Sequence, residues 1–156
     1  MTETPTQDLR GFFLLPQGYE GGGYYSYGTP DAGRSQYAHP ELISMIQQIA
    51  FRWAGSDKRK FGVGNISLGN GVKHPDHRSH RDGLQVDIRL IRKDKERKPC
   101  SYWDRQYDQT ATAKLIAMFK QAAHVHDILF NDPAIKGVRR HRGHDDHFHV
   151  ALALKG

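Results

Sequence analysis

The sequence predicts a single α+β domain in which a small antiparallel sheet is flanked by helices. Three observations lead there. The 156 residues suit one ordinary domain with one core, spanning 1–156 with an irregular N-terminal segment over 1–23. Two stretches carry apolar residues at helical spacing, and several short ones alternate with a period of two between glycine turns. The two kinds do not alternate regularly, which favours hairpin-like connections over repeated βαβ units.

Composition narrows the class. Hydrophobic residues make up 37% and charged residues 26%, and no apolar run approaches the roughly 20 residues of a membrane span. "GFFLLP" from Gly11 is too short for a secretory core, so no signal peptide is expected and synthesis is assigned to the cytoplasm. Cys100 is the only cysteine, which excludes an intrachain disulfide, and it lies far in sequence from the histidine clusters. The net charge of +6 favours an anionic partner such as nucleic acid, an acidic membrane surface or the bacterial cell wall. Charge does not choose among them, and solubility alone explains it equally well.

The elements follow in order. "QGYEGGGYYSYGTPDAG", Gln17 to Gly33, is rich in Gly and Tyr and reads as an irregular segment, either a loop packed over a site or, the reading favoured slightly, a simple surface loop. Tyr24, Tyr25 and Tyr27 could line a groove or simply pack, and are left out of the site. "HPELISMIQQIAFRWAG" has Pro40 in a first turn, Gly55 as a stop, and Leu42, Ile46, Ile49 and Trp53 on one stripe, which predicts a core helix. "KFGVGNISLGNG" predicts a strand from about Phe61 to Leu68. In "LQVDIRLI", Leu84, Val86, Ile88 and Leu90 share one strand face, so Gln85, Asp87 and Arg89 share the other. "RKDKERK" from Arg92 is a solvated loop. A second helix is expected from near Thr110 through "ATAKLIAMFKQAAHV", burying Ile116, Phe119 and Ala123. "DILF" reads as a strand, "NDPAIKGV" as a turn or short helix, and "HFHVALAL" as the last strand.

On that last strand, period two sends His147, His149 and Ala151 to one face and Phe148, Val150 and Leu152 to the other. Upstream, in "HPDHRSHRDGLQVDIRL", His77 precedes His80 by three positions, and Asp87 follows His80 by seven. Catalytic zinc commonly takes three protein nitrogen or oxygen ligands plus water. His80, Asp87 and one strand histidine supply suitable types. An H-x-H pair alone is weak evidence of metal; two clusters on polar strand faces make a stronger case.

Together, "SHRDGLQVDIRL" and "HDDHFHVAL" resemble the H-x6-D and H-x-H signatures of the LAS-type zinc peptidases, the group holding lysostaphin-like enzymes and D-Ala-D-Ala carboxypeptidases. Within that group the chain is similar to the penicillin-insensitive murein endopeptidases. "YAHPELISMIQQIA", "SHRDGLQVDI", "ILFNDPAIKGV" and the H-x2-H-x-H ending look like that family's segments in the same order, over roughly Tyr24 to Leu152. The resemblance implies a LAS/hedgehog-type peptidase fold. It implies zinc (Zn2+) on His80, Asp87 and His149, with His147 as base and acid, and His144 and His77 lining the site, where one of them could hydrogen-bond an oxyanion or steady a neighbouring group. It also implies peptidoglycan as substrate, cut at the D-alanyl to meso-diaminopimelyl cross-link by water that the metal activates.

This sequence is shorter than the periplasmic enzymes and has one cysteine in place of their disulfide cysteines, and it is expected to lack their signal peptide. The chain is therefore expected to act in the periplasm or on the wall after release or delivery, as a phage lysin, an injected antibacterial effector or a truncated form of an exported enzyme, with an immunity or delivery protein as a further partner. Nucleic acid is not an expected partner. The alternatives are a D-Ala-D-Ala or L,D-type carboxypeptidase on the same fold, a metal-dependent nuclease, and a non-catalytic zinc or wall-binding module, which the presence of His147 beside the three ligand types disfavours.

Overall fold

The apolar stripe beginning at Leu42 forms helix α1 (Pro40–Ala54), with Pro40 in its first turn, His39 accepting from the Glu41 amide as N-cap, and Gly55 as C-cap. Leu42, Ile46, Ile49 and Trp53 are all buried, as their spacing predicts. The computed structural model describes residues 4–18, 22–28, 33–73 and 80–154. Before α1 come β1 (Phe13–Leu14), β2 (Tyr24–Ser26) and β3 (Tyr37–Ala38); after it come β4 (Phe61–Val63), β5 (Gln85–Arg89), α2 (Gln109–Gln121), β6 (Val125–Leu129) and β7 (His147–Leu152). The protein is thus α+β.

β1 and β3 form a two-stranded antiparallel pair, and the other five strands form one sheet in the order β2-β4-β5-β7-β6. The neighbouring pairs β4–β5, β5–β7 and β7–β6 are each antiparallel, as expected, but β2 runs parallel to β4. That edge corrects two expectations. The sheet is mixed, and the chain makes one crossover of the βαβ kind, from β2 through β3 and α1 to β4. The Gly- and Tyr-rich segment is therefore more than a surface loop: Tyr24 pairs with Phe61 and is 1% exposed. Pairing with a distant strand, which local composition does not encode, makes β2.

One sheet face meets the helices. Val86, Ile88, Phe148 and Val150 are fully buried with Leu115, Ile116 and Phe119 of α2 in a single core, where the Phe119 and Phe148 rings stand edge to face at 5.6 Å. The alternation read in "LQVDIRLI" and "HFHVALAL" therefore holds, and the opposite face is free to carry polar side chains.

Several boundaries differ from the sequence reading; β6 begins two residues before the expected Asp127, and β7 ends at Leu152. The strand expected to reach Leu68 stops at Val63; beyond it the Ile66 amide donates to Ser35 and the Asn65 carbonyl accepts from Asp87, so the segment leaves the ladder while still pairing locally. α2 starts at Gln109 behind the Asp108 cap and ends at Gln121, short of the predicted Val125. His124 takes a positive φ of 69°, Val125 is claimed by β6 pairing, and Ala123 is exposed rather than buried. "NDPAIKGV" forms turns, and Arg92–Lys98 is an exposed loop. Among the described residues, no helix is long and apolar enough to cross a membrane.

Candidate active site

The antiparallel register of β5 and β7 builds the site. It places Asp87 opposite His149 and Arg89 opposite His147, all on the face turned away from the helices. His80, from the turn before β5, closes over them. One ligand-type atom each from His80, Asp87 and His149 lies within 4.8 Å of the others, and the three residues are 2%, 5% and 6% exposed.

Hydrogen bonds fix which ring nitrogens face the centre. His80 Nδ1–H donates to the Ile66 carbonyl at 2.9 Å, leaving Nε2 3.5 Å from Asp87 Oδ1. Here the early departure of the β4 segment from the sheet has a use, since it brings that carbonyl under the ring. His149 Nε2–H donates to Gln85 Oε1 at 2.9 Å, leaving Nδ1 3.0 Å from the same Asp87 oxygen. The Gln85 amide nitrogen points instead toward Asp82, 3.5 Å away, in keeping with this orientation of the amide.

Two imidazole lone pairs and a carboxylate thus converge in a buried space. Acceptors so placed repel one another unless positive charge stands among them, either protons on the rings or a cation. Two histidinium rings 5.1 Å apart would in turn repel each other. The donor set of two nitrogens and one oxygen, each ring held by an outer hydrogen bond, fits a divalent transition metal. Where protons rather than a cation stand there, burial would raise the Asp87 carboxyl, but hydrogen bonds from His149 and His80 outweigh it and hold it well below the usual carboxylate range.

His147 lies at the edge of this group, its Nε2 3.7 Å from Asp87 Oδ1 and its Nδ1–H donating to Asp146 at 2.8 Å. Its basic nitrogen therefore faces the centre. Burial would lower the His147 pKa, yet the Asp146 hydrogen bond and the charges of Asp87 and Asp146 raise it above its ordinary value.

His144 packs against the His147 and His149 rings, at 5.0 and 5.7 Å. Its Nδ1–H points at the carbonyls of His141 and Arg142, so its free Nε2 is an acceptor, and burial followed by the charge of His147 lowers its pKa. In its neutral form this tautomer suits the second of the two roles expected of His144, steadying a neighbouring group, better than donation to an oxyanion. His77 lies outside the described residues.

Four neighbours escaped the sequence reading. Gln85 and Asp146 orient the His149 and His147 rings. Asn131 holds the loop before β7: its amide nitrogen donates to Asp145 at 2.8 Å and its side-chain oxygen accepts from the His141 amide at 2.8 Å. Tyr27 lies over Gly62 and Gly64 of the β4 segment, where a Cβ on Gly64 would come within 2.7 Å of the phenol oxygen. Burial, then the charge of Asp87, pushes its pKa well above the ordinary value, so the phenol stays protonated. The advance signals were the two-residue period that aligned Gln85 with Asp87 and the cluster of tyrosines that includes Tyr27, which the sequence reading left out of the site.

The model of the penicillin-insensitive murein endopeptidase family matches residues 20–135, most of the chain. The chain belongs to that family. Comparison with individually curated proteins gives no match. As a member of the murein endopeptidase family, the chain is placed among peptidases whose substrate is peptidoglycan. The matched span holds His80 and Asp87 but ends before β7, so it is the strand pairing of this fold that brings His147 and His149 to them.

Proposed function

We propose that this murein endopeptidase is a zinc enzyme of LAS type, with His80, Asp87 and His149 as metal ligands, that hydrolyses D-alanyl-meso-diaminopimelyl cross-links in the periplasm or on the cell wall. The convergence of the His80 and His149 lone pairs on Asp87 carries this reading. When bound, the cation supplies Lewis-acid polarisation of the scissile carbonyl and makes water more acidic.

The chain's own residues do the rest. His147 Nε2 takes a proton from water and returns it to the leaving amine, while Asp146 holds the ring by Nδ1 and stabilises its protonated state. His144 Nε2, an acceptor, orients the same water or a donor on the bound peptide. The turn bearing His80 and the loop 141–146 leave Asp87 and His149 almost fully buried, so the polar contacts there act in a medium of low dielectric. No side chain is needed as a nucleophile. Cys100 is buried, and burial raises its thiol pKa, which suits a structural role.

Digestion of purified cross-linked peptidoglycan, with and without chelator, tests the reading by fragment masses. Chelator-sensitive conversion of dimers to monomers is expected. Loss of a terminal alanine alone would make the enzyme a carboxypeptidase, and turnover that survives complete metal removal would refute the zinc assignment.

A further inference from the structure

Arg89 is the residue of this face whose own bonding is incomplete. It stands two positions along β5 from Asp87 and directly opposite His147, with its guanidinium stacked 3.9 Å from the centre of the Tyr27 ring. Its Nε is buried and has no hydrogen-bond partner; one Nη donates to the Arg97 carbonyl at 3.3 Å.

Four other arginines are answered by carboxylates: Arg10 by Asp8, Arg59 by Asp57 and Asp108, Arg92 by Asp94, and Arg139 by Asp127. Among the described residues no carboxylate lies within 4.0 Å of Arg89. Asp146, whose carboxylate feels the charge of Arg89, is engaged by His147. A half-buried guanidinium held flat on an aromatic ring, next to a candidate catalytic histidine, retains most of its hydrogen-bonding capacity for something else.

The glycines at 62 and 64 show that this placement is built. Side chains there would collide with Tyr25 and Tyr27, so bare backbone on β4 lets both rings lie across the sheet. The stacking repeats one step further from the centre, where Arg97 sits 5.2 Å from the Tyr25 ring at the edge of a depression of about 260 Å³ also lined by Lys58 and Lys95. Cationic side chains outnumber the single acid, Glu96, in that lining, and the planar fork of arginine matches a carboxylate better than a hydroxyl or amide.

We propose that Arg89, held by Tyr27, is the subsite that recognises a free carboxylate of the bound peptide beside the scissile bond. The proposal rests on the peptidase reading above and adds to it the substrate's required charge. Arg89 selects substrate and Tyr27 positions it; neither takes part in bond cleavage.

The test uses two sets of cross-linked muropeptide dimers, identical except that the carboxylate next to the cross-link is free in one and a carboxamide in the other. The metal-loaded wild type should cleave the acid with a kcat/KM at least tenfold higher than the amide, with most of the difference in KM. Arg89→Gln should lose this preference, its value on the acid falling to its value on the amide. Arg89→Lys should keep part of it, having the charge without the planar fork.

Equal cleavage of both dimers by the wild type would overturn the proposal while leaving the peptidase reading intact. Equal loss on both dimers in Arg89→Gln, with wild-type metal content, would also overturn it, because Arg89 would then merely support Asp146 and His147. Cleavage of neither dimer by the metal-loaded wild type would remove the peptidase reading as well. Should Arg89→Gln fail to fold, the wild-type ratio still decides.

Discussion

Replacing Gln85 by Ala tests whether the hydrogen bonds behind the proposed ligands matter as the geometry requires. Gln85 binds no metal in this account. Its Oε1 accepts from His149 Nε2 at 2.9 Å and so keeps Nδ1 as the free nitrogen facing Asp87. A neutral hydrogen bond of this kind contributes about 0.5–1.5 kcal/mol net, or roughly 2- to 13-fold in affinity. Loss of an outer partner of a ligating histidine typically costs about 10- to 100-fold in metal affinity. The two ranges meet near tenfold.

Gln85 is only half-buried, so water replaces part of the lost bond and a larger effect is not expected. Zinc titration against a competing chelator, with unfolding curves to verify the fold, measures the change. Gln85→Glu, which keeps an acceptor for His149, should bind zinc more tightly than Gln85→Ala. A change below about twofold for Ala, or the reverse order of the two variants, would refute the claim that His149 binds through Nδ1 with Gln85 as its outer support.

Three further outcomes follow from the same structure. His149→Ala should lose both zinc and activity, whereas His147→Ala should keep most of its zinc and fail to cleave, and normal turnover by the latter would remove its role as base. Phe148→Ala empties the space between Phe119 and Phe130 at a fully buried position of β7, and should cost about 3–5 kcal/mol in urea unfolding. Asp57 has its carboxyl lowered from 3.8 chiefly by its hydrogen bond with Arg59, and Asp108 is lowered by the same arginine against the opposing effect of burial. Both therefore contribute stability that is complete above their unfolded value near pH 4 and is lost as pH falls through their folded values; urea midpoints between about pH 5 and pH 3 should fall less steeply in Arg59→Gln than in the wild type.

The helix over 40–54 and strands β5 and β7 were legible because each carries its burial pattern locally. Leu42 to Trp53 repeats at the helical period, and Val86 with Ile88 and Phe148 with Val150 at the period of two. β2 was not legible: glycine and tyrosine suggest a loop, and only the parallel partner Phe61–Val63 makes Tyr24–Ser26 a strand. The end of α2 was hidden for a related reason, since Ala122 and Ala123 suit a helix and it is the β6–β7 pairing that removes Val125 from it.

The candidate site divides the same way. His80, Asp87 and His149 stand out by residue type and spacing, and the register of two strands brings them together. Gln85, Asp146 and Asn131 act by which atom of another residue they face, and no spacing rule encodes that. His144 shows the limit clearly: a histidine in a cluster can donate or accept, and only the carbonyls of His141 and Arg142 on its Nδ1 show that its free nitrogen accepts.

X-ray absorption at the zinc edge of the metal-loaded protein reaches the central claim most directly. The account predicts one ion per chain in a shell of nitrogen and oxygen at about 2.0–2.2 Å, with imidazole scattering from two rings that drops to one in His149→Ala. A sulfur neighbour at about 2.3 Å, a shell without imidazole, or a protein that takes up no zinc would contradict it.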